Sequence, residues 1–110
     1  MNTMLLDFYG ELLTDKQREC FDLHYNEDLS LSEIAEQCGI SRQGVWDNIR
    51  RAEAAMRGIE EKTGLIRRFS ELEEGLDRLS ESVRELAEIT DGRAGELARA
   101  ALHEIETLRG

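Results

Sequence analysis

The sequence predicts an all-helical protein, and three observations carry that expectation. Proline is absent from all 110 residues. Only 5% of the residues are aromatic, and β-branched residues are sparse, so the side chains that favour strands are few. Leu, Ala, Glu and Arg, all strong helix formers, dominate instead.

The elements follow in order. Met4, Leu5, Phe8 and Leu12 lie at helical spacing and predict a first helix over 1–13. Thr14-Asp15-Lys16-Gln17 has capping-box spacing, in which a hydroxyl and an amide side chain satisfy free backbone N–H groups. It opens a second helix to about Tyr25, with Cys20, Phe21 and Leu23 as its apolar contacts. Asn26-Glu27-Asp28 is a polar connection. Ser30-Leu31-Ser32-Glu33 is a second capping box, opening a short third helix that carries Leu31, Ile34, Ala35 and Cys38. Gly39 then ends that helix, since glycine takes the left-handed conformation freely. Ser41 caps a fourth helix from Arg42 to about Lys62, with Val45, Ile49, Ala52 and Met56 on one face. Thr63-Gly64 is the clearest break.

Beyond it the pattern changes. Leu65, Phe69, Leu72, Leu76, Leu79, Val83 and Leu86 alternate spacings of four and three, the a/d seam of a heptad repeat. Gly75 weakens this helix by about 1 kcal/mol relative to alanine without breaking the pattern. Asp91-Gly92 marks a turn, and a last helix from about Arg93 carries Ala94, Leu97, Ala98, Ala101, Leu102, Ile105 and Leu108. Two domains are therefore expected. Residues 1–62 form a helix-turn-helix domain, winged-helix-like in the broad sense, and residues 63–110 a C-terminal helical hairpin that serves packing or dimerisation.

Charge narrows the function classes. The chain carries a net charge of −10. Bulk binding to nucleic acid needs a positive field, so any such site must be a local basic patch. Residues 1–28 carry net −5, residues 29–62 net −1 and residues 63–110 net −4, which makes the middle segment the least acidic. No apolar run approaches the roughly 20 residues of a membrane span. The N-terminus lacks a basic segment followed by an apolar core, so a cytoplasmic protein is expected. Cys20 and Cys38 fall at apolar positions and read as buried, reduced packing residues, with a disulfide or redox pair as the alternative.

Residues 30–52 carry the most information. A capped helix, a glycine turn and a second capped helix make a helix-turn-helix. Ala35 lets the helices approach, Ile40 fills their angle, and Val45 and Ile49 seat the second helix on the first. That seating turns Gln43, Asp47 and Arg50 outward, with Arg42 and Trp46 beside them and Arg51 next in sequence. Early exposed positions of such a helix enter the major groove. Arg suits guanine and Gln suits adenine, while an aromatic ring such as Trp46 suits a base or ribose in an RNA loop. Asp47 would be repelled by phosphate unless it accepts from a cytosine amino group or pairs with an arginine, and Arg51 stands four residues away. The expected nucleic-acid face is thus Arg42, Gln43, Trp46, Asp47, Arg50 and Arg51. The alternative is a helix-turn-helix kept only for packing, with Trp46 buried against the hairpin.

Leu13-Thr14-Asp15-Lys16-Gln17-Arg18, Leu31-Ser32-Glu33-Ile34-Ala35-Glu36 and Ile40-Ser41-Arg42-Gln43 resemble region 4 of sigma factors. The stretch Leu6-Asp7-Phe8-Tyr9-Gly10-Glu11-Leu12-Leu13, with Ser41-Arg42-Gln43-Gly44-Val45-Trp46-Asp47-Asn48-Ile49, narrows this to a resemblance to the YlxM family of bacterial helix-turn-helix proteins, over about residues 4–70. The resemblance implies a non-enzymatic, regulatory protein working with the signal recognition particle, because the family's gene typically neighbours that of the particle's GTPase. It also implies that dimers occur. Two departures stand out: Gly44 replaces the usual alanine and Trp46 the usual tyrosine. The partners implied are nucleic acid, either DNA or signal recognition particle RNA, and the particle's GTPase. A protein adaptor for that GTPase, with a helix-turn-helix that touches no base, is the alternative function.

Catalysis finds no support. His24 and His103 are far apart and read as surface residues, and no metal-ligand spacing or glycine-rich phosphate loop is present. No cofactor, metal or small-molecule substrate is expected. The last helix is shorter than the seam by about nine residues, or about 13 Å. Leu65, Phe69 and Leu72 are therefore expected to lie uncovered by the last helix. Either the N-terminal helix with Phe8 and Leu12 or, as the favoured route, the same seam of a second copy in a two-fold dimer would bury them.

Overall fold

A computed structural model describes residues 1–110. It contains six α-helices and no strand. The helices are α1 (Asn2–Tyr9), α2 (Asp15–Tyr25), α3 (Leu31–Cys38), α4 (Arg42–Thr63), α5 (Leu65–Ile89) and α6 (Gly92–Arg109), with one 3-10 turn at Gly10–Leu12. The chain divides into two compact units, residues 1–66 and 67–110.

In the first unit, α4 is the central element and α1, α2 and α3 pack on it. Both capping boxes form. The Thr14 hydroxyl accepts from the Gln17 N–H at 3.2 Å while the Gln17 side chain accepts from the Thr14 N–H. Ser30 and Glu33 do the same, at 3.1 Å each way. Gly39 closes α3 with φ of 69°, a left-handed conformation that costs glycine no steric penalty. Val45, Ile49, Ala52 and Met56 run down one side of α4, fully buried, and meet Leu5, Phe21 and Ile34. Ile66 belongs to this core as well, so the division between the units falls inside α5 rather than at the Thr63-Gly64 break.

The first helix differs from its expected form. It ends at Tyr9 and tightens into the 3-10 turn, and its buried face is Leu5 with Tyr9. Phe8 is 38% exposed and Leu12 70%. Tyr9 takes the inner position because its hydroxyl is satisfied there, donating to Glu60 at 2.6 Å with the Thr63 hydroxyl at 2.8 Å. Phe8, the more apolar ring, needs no such partner and lies on the outer side. Cys20 is buried, but Cys38 is only half-buried. Its thiol donates to Glu19 Oε1 at 3.3 Å. Burial, with the carboxylate of Glu19 beside it, pushes the Cys38 thiol up to about 11, which keeps it protonated and unreactive. His24 is half-buried, against the expectation of a surface residue. Its Nδ1 sits 3.0 Å from the Leu29 carbonyl, where only the protonated nitrogen can bond. It closes the connection between α2 and α3.

The second unit is an antiparallel pair formed by α5 and α6. Arg84 meets Glu106 at 3.8 Å, and Arg109 meets Asp77 at 2.6 Å and Glu73 at 3.3 Å. The inner face of α5 takes in only one row of the heptad seam, Leu76 and Val83. Ser80 is buried there, and Glu73, Leu76, Val83 and Ala87 are half-buried. On α6 the buried residues are Gly95, Ala98 and Ile105. The seam's outer row stays exposed. Leu72 is 60% exposed, Leu79 49% and Leu86 48%. The uncovered apolar surface thus extends well past Leu65, Phe69 and Leu72 toward the hairpin turn.

Candidate nucleic-acid interface

Local chemistry builds the interface. Gly39 and Ile40 both donate backbone N–H bonds to the Ala35 carbonyl, at 3.0 and 3.2 Å, which folds the chain sharply between α3 and α4. The Ser41 hydroxyl accepts from the Gly44 N–H at 3.0 Å and starts α4. A Cβ on residue 44 would lie 3.2 Å from that hydroxyl oxygen and 3.7 Å from Ile40. The glycine therefore permits a close seat of cap against helix. Asn48 donates to the Gly44 carbonyl at 2.9 Å and steadies the same turn.

With Ile34, Val45 and Ile49 fully buried, α4 turns the six expected residues outward together. Arg42, Gln43, Trp46, Arg50 and Arg51 are exposed and Asp47 is half-buried. Trp46 is 39% exposed. The Asp47–Arg51 pair that the spacing makes available is not formed. Gln43 Nε2 donates to Asp47 Oδ1 at 3.0 Å instead, because the shorter Gln43 lies a turn earlier on the same face and needs less side-chain ordering than a long arginine. Arg42, Arg50 and Arg51 enter no ion pair. Three free guanidinium groups therefore project from one helix of an acidic chain.

A groove of about 650 Å³ opens between the beginnings of α3 and α4, lined by Ser30, Leu31, Ser32, Ser41, Arg42, Gln43 and Trp46. Two smaller depressions continue down α4. One is bounded by Asp47, Arg50, Arg51 and Ala54, the other by Arg50, Glu53, Ala54 and Arg57. Ser30, Leu31 and Ser32 were legible only as a cap and its first turn. Arg57 stands seven residues after Arg50, two turns along the same face, and that spacing is the signal that would have found it. Arg57 is partly neutralised by Glu53 at 2.9 Å. No group of three His, Cys, Asp or Glu residues is arranged to hold a metal ion, and no helix is long and apolar enough to cross a membrane.

A capped, glycine-turned helix pair with an arginine- and tryptophan-bearing second helix defines a helix-turn-helix protein. Comparison with known sequences places the chain within that class: it belongs to the UPF0122 family, described as "Putative helix-turn-helix protein, YlxM / p13 like", which it matches over residues 1–94. It is 51% identical over 81 residues to a UPF0122 protein of Thermoanaerobacter sp. strain X514, covering 74% of this chain and 69% of that one. It is 49% identical over 79 residues to one of Halalkalibacterium halodurans, covering 72% of each. With one of Acetivibrio thermocellus it shares 58% identity over 66 residues, covering 60% of this chain and 56% of that one.

Proposed function

We propose that the protein is a cytoplasmic regulator that binds nucleic acid through α4 and works with the signal recognition particle. The observation that carries the binding is the set Arg42, Arg50 and Arg51, three cations without acidic partners on one helix of a chain whose net charge is −10. Unpaired guanidinium groups are available to phosphate without first breaking an internal bond. The link to the particle rests on the family resemblance. A pull-down from cytoplasm, with and without nuclease, tests it: recovery of the particle's RNA or GTPase supports the link, and recovery of neither refutes it.

The hairpin supplies the dimer in this reading. Leu72, Leu79 and Leu86 of α5 and Leu97 and Leu108 of α6 are exposed. By helix geometry they lie on one flank of the hairpin, opposite the flank that carries the Arg84–Glu106 and Arg109–Asp77 pairs. Such a flank can pair with itself about a two-fold axis, which buries both copies at once. The same flank, on a segment of net −4 over residues 63–110, favours a second reading: an adaptor whose hairpin docks the particle's GTPase while the helix-turn-helix touches no base.

A further inference from the structure

We infer that the groove between the beginnings of α3 and α4 holds an unpaired nucleobase stacked on Trp46, with the adjoining phosphate on Arg42. This inference rests on the nucleic-acid reading above and names the chemistry of its target: a strand with unstacked bases rather than a continuous duplex.

Three observations support that choice. First, the groove, though open to solvent, has room for a nucleotide. Its volume of about 650 Å³ falls within the range of small-molecule sites. Trp46 and Leu31 supply its apolar surface, and every base has a flat face to lay against an indole. Second, Gln43, one of the groups that would read a duplex, is already engaged. Gln43 would need both its amide atoms for a bidentate contact to adenine, and its Nε2 is bonded to Asp47. Asp47 itself would face the phosphates of a duplex laid along α4. Third, the field is wrong for a duplex. Residues 1–66 carry net −6, whereas a duplex brings phosphates of both strands against a broad surface. A single strand that places one base in the groove and one phosphate on the free Arg42 needs far less positive surface. Arg50 and Arg51 lie farther down α4, unpaired and available to the strand's next phosphates.

Trp46 is the only tryptophan, so its fluorescence reports on the groove alone. Four probes of matched sequence are compared: a stem-loop RNA with an open loop, single-stranded DNA, and fully paired duplexes of RNA and of DNA. The two unpaired strands are expected to quench Trp46 and to bind at least tenfold more tightly than either duplex. The difference between RNA and DNA strands identifies the preferred sugar. Binding of the unpaired strand should weaken with salt at a log–log slope near −2, about 0.7 for each of three arginines. By anisotropy of a labelled strand, Trp46→Ala should lose about tenfold or more in affinity and Trp46→Tyr should retain most of it. Circular dichroism checks that both variants keep the wild-type helicity. Duplex binding that depends on Arg42 and Arg50 but neither quenches Trp46 nor responds to Trp46→Ala would overturn the groove and leave the wider reading standing. Unpaired-strand binding indifferent to Trp46→Ala would do the same. Binding of no probe at all would overturn both.

Discussion

The Tyr9 hydroxyl donates to the Glu60 carboxylate at 2.6 Å, across 51 residues of sequence. Glu60 also accepts from the Ile66 backbone N–H at 2.9 Å, at the start of α5. Because the phenol's one proton goes to Glu60, the Thr63 hydroxyl 2.8 Å away must donate to Tyr9. One side chain thus ties α1 to the end of α4, inside a core where an unmade hydrogen bond is costly.

This contact gives stability a dependence on alkaline pH. Burial, with Glu60 beside it, raises the Tyr9 phenol above its ordinary value of 10.0. A group raised on folding contributes stability that is complete below its unfolded value and lost as pH rises through the folded one. The melting temperature should therefore hold up to about pH 10 and fall above it. Tyr9→Phe should melt lower at pH 7 and show a shallower alkaline decline. Thermal melts by circular dichroism from pH 7 to 11 check this, and equal alkaline slopes in the two proteins would contradict it.

Two glycines should respond to alanine in opposite directions. A Cβ on residue 58, inside α4, meets nothing within 4 Å. Gly58→Ala should stabilise the protein by up to about 1 kcal/mol, through helix propensity alone. A Cβ on residue 95 would lie 2.8 Å from the Thr90 carbonyl oxygen. Gly95→Ala should force the turn into α6 apart and cost about 1–3 kcal/mol. Urea denaturation of both variants measures the two signs.

The arginines of α4 should matter to binding and not to folding. Arg42 and Arg50 are exposed and in no ion pair, so Arg42→Ala with Arg50→Ala should leave helicity and melting temperature near the wild-type values. Affinity for nucleic acid should fall tenfold or more, since charged hydrogen bonds contribute about 1.5–3 kcal/mol each. Unchanged affinity in the double variant would remove the nucleic-acid role from this face.

The leucine flank should set the assembly state. A wild-type mass near twice 12.6 kDa is expected in light scattering at micromolar concentration. Leu72→Glu with Leu79→Glu should return the monomer mass and keep most of the helicity, because both side chains point away from the hairpin's inner face. A wild-type mass of one chain would leave a protein partner such as the GTPase as the occupant of that flank.

The sequence alone determined the local decisions. Thr14, Ser30 and Ser41 specify where three helices begin, because a cap bonds within three residues of itself. Gly39 and Gly64 specify where two end, because few other residues tolerate a positive φ there. The buried row Val45, Ile49, Ala52 and Met56 follows from helical period, and with it the outward placement of Arg42, Gln43, Trp46, Asp47, Arg50 and Arg51. The tertiary structure decided what depends on a distant partner. Tyr9 outcompetes Phe8 for the core because Glu60 and Thr63 stand ready for its hydroxyl. Asp47 bonds Gln43 rather than Arg51, although spacing permitted either. The groove beside Trp46 exists only because the turn at Gly39 brings the beginnings of two helices together. Ser80, a polar residue that periodicity would leave outside, is buried within the hairpin. A heptad pattern shows which residues are apolar; which of them are covered depends on where the neighbouring helix lies.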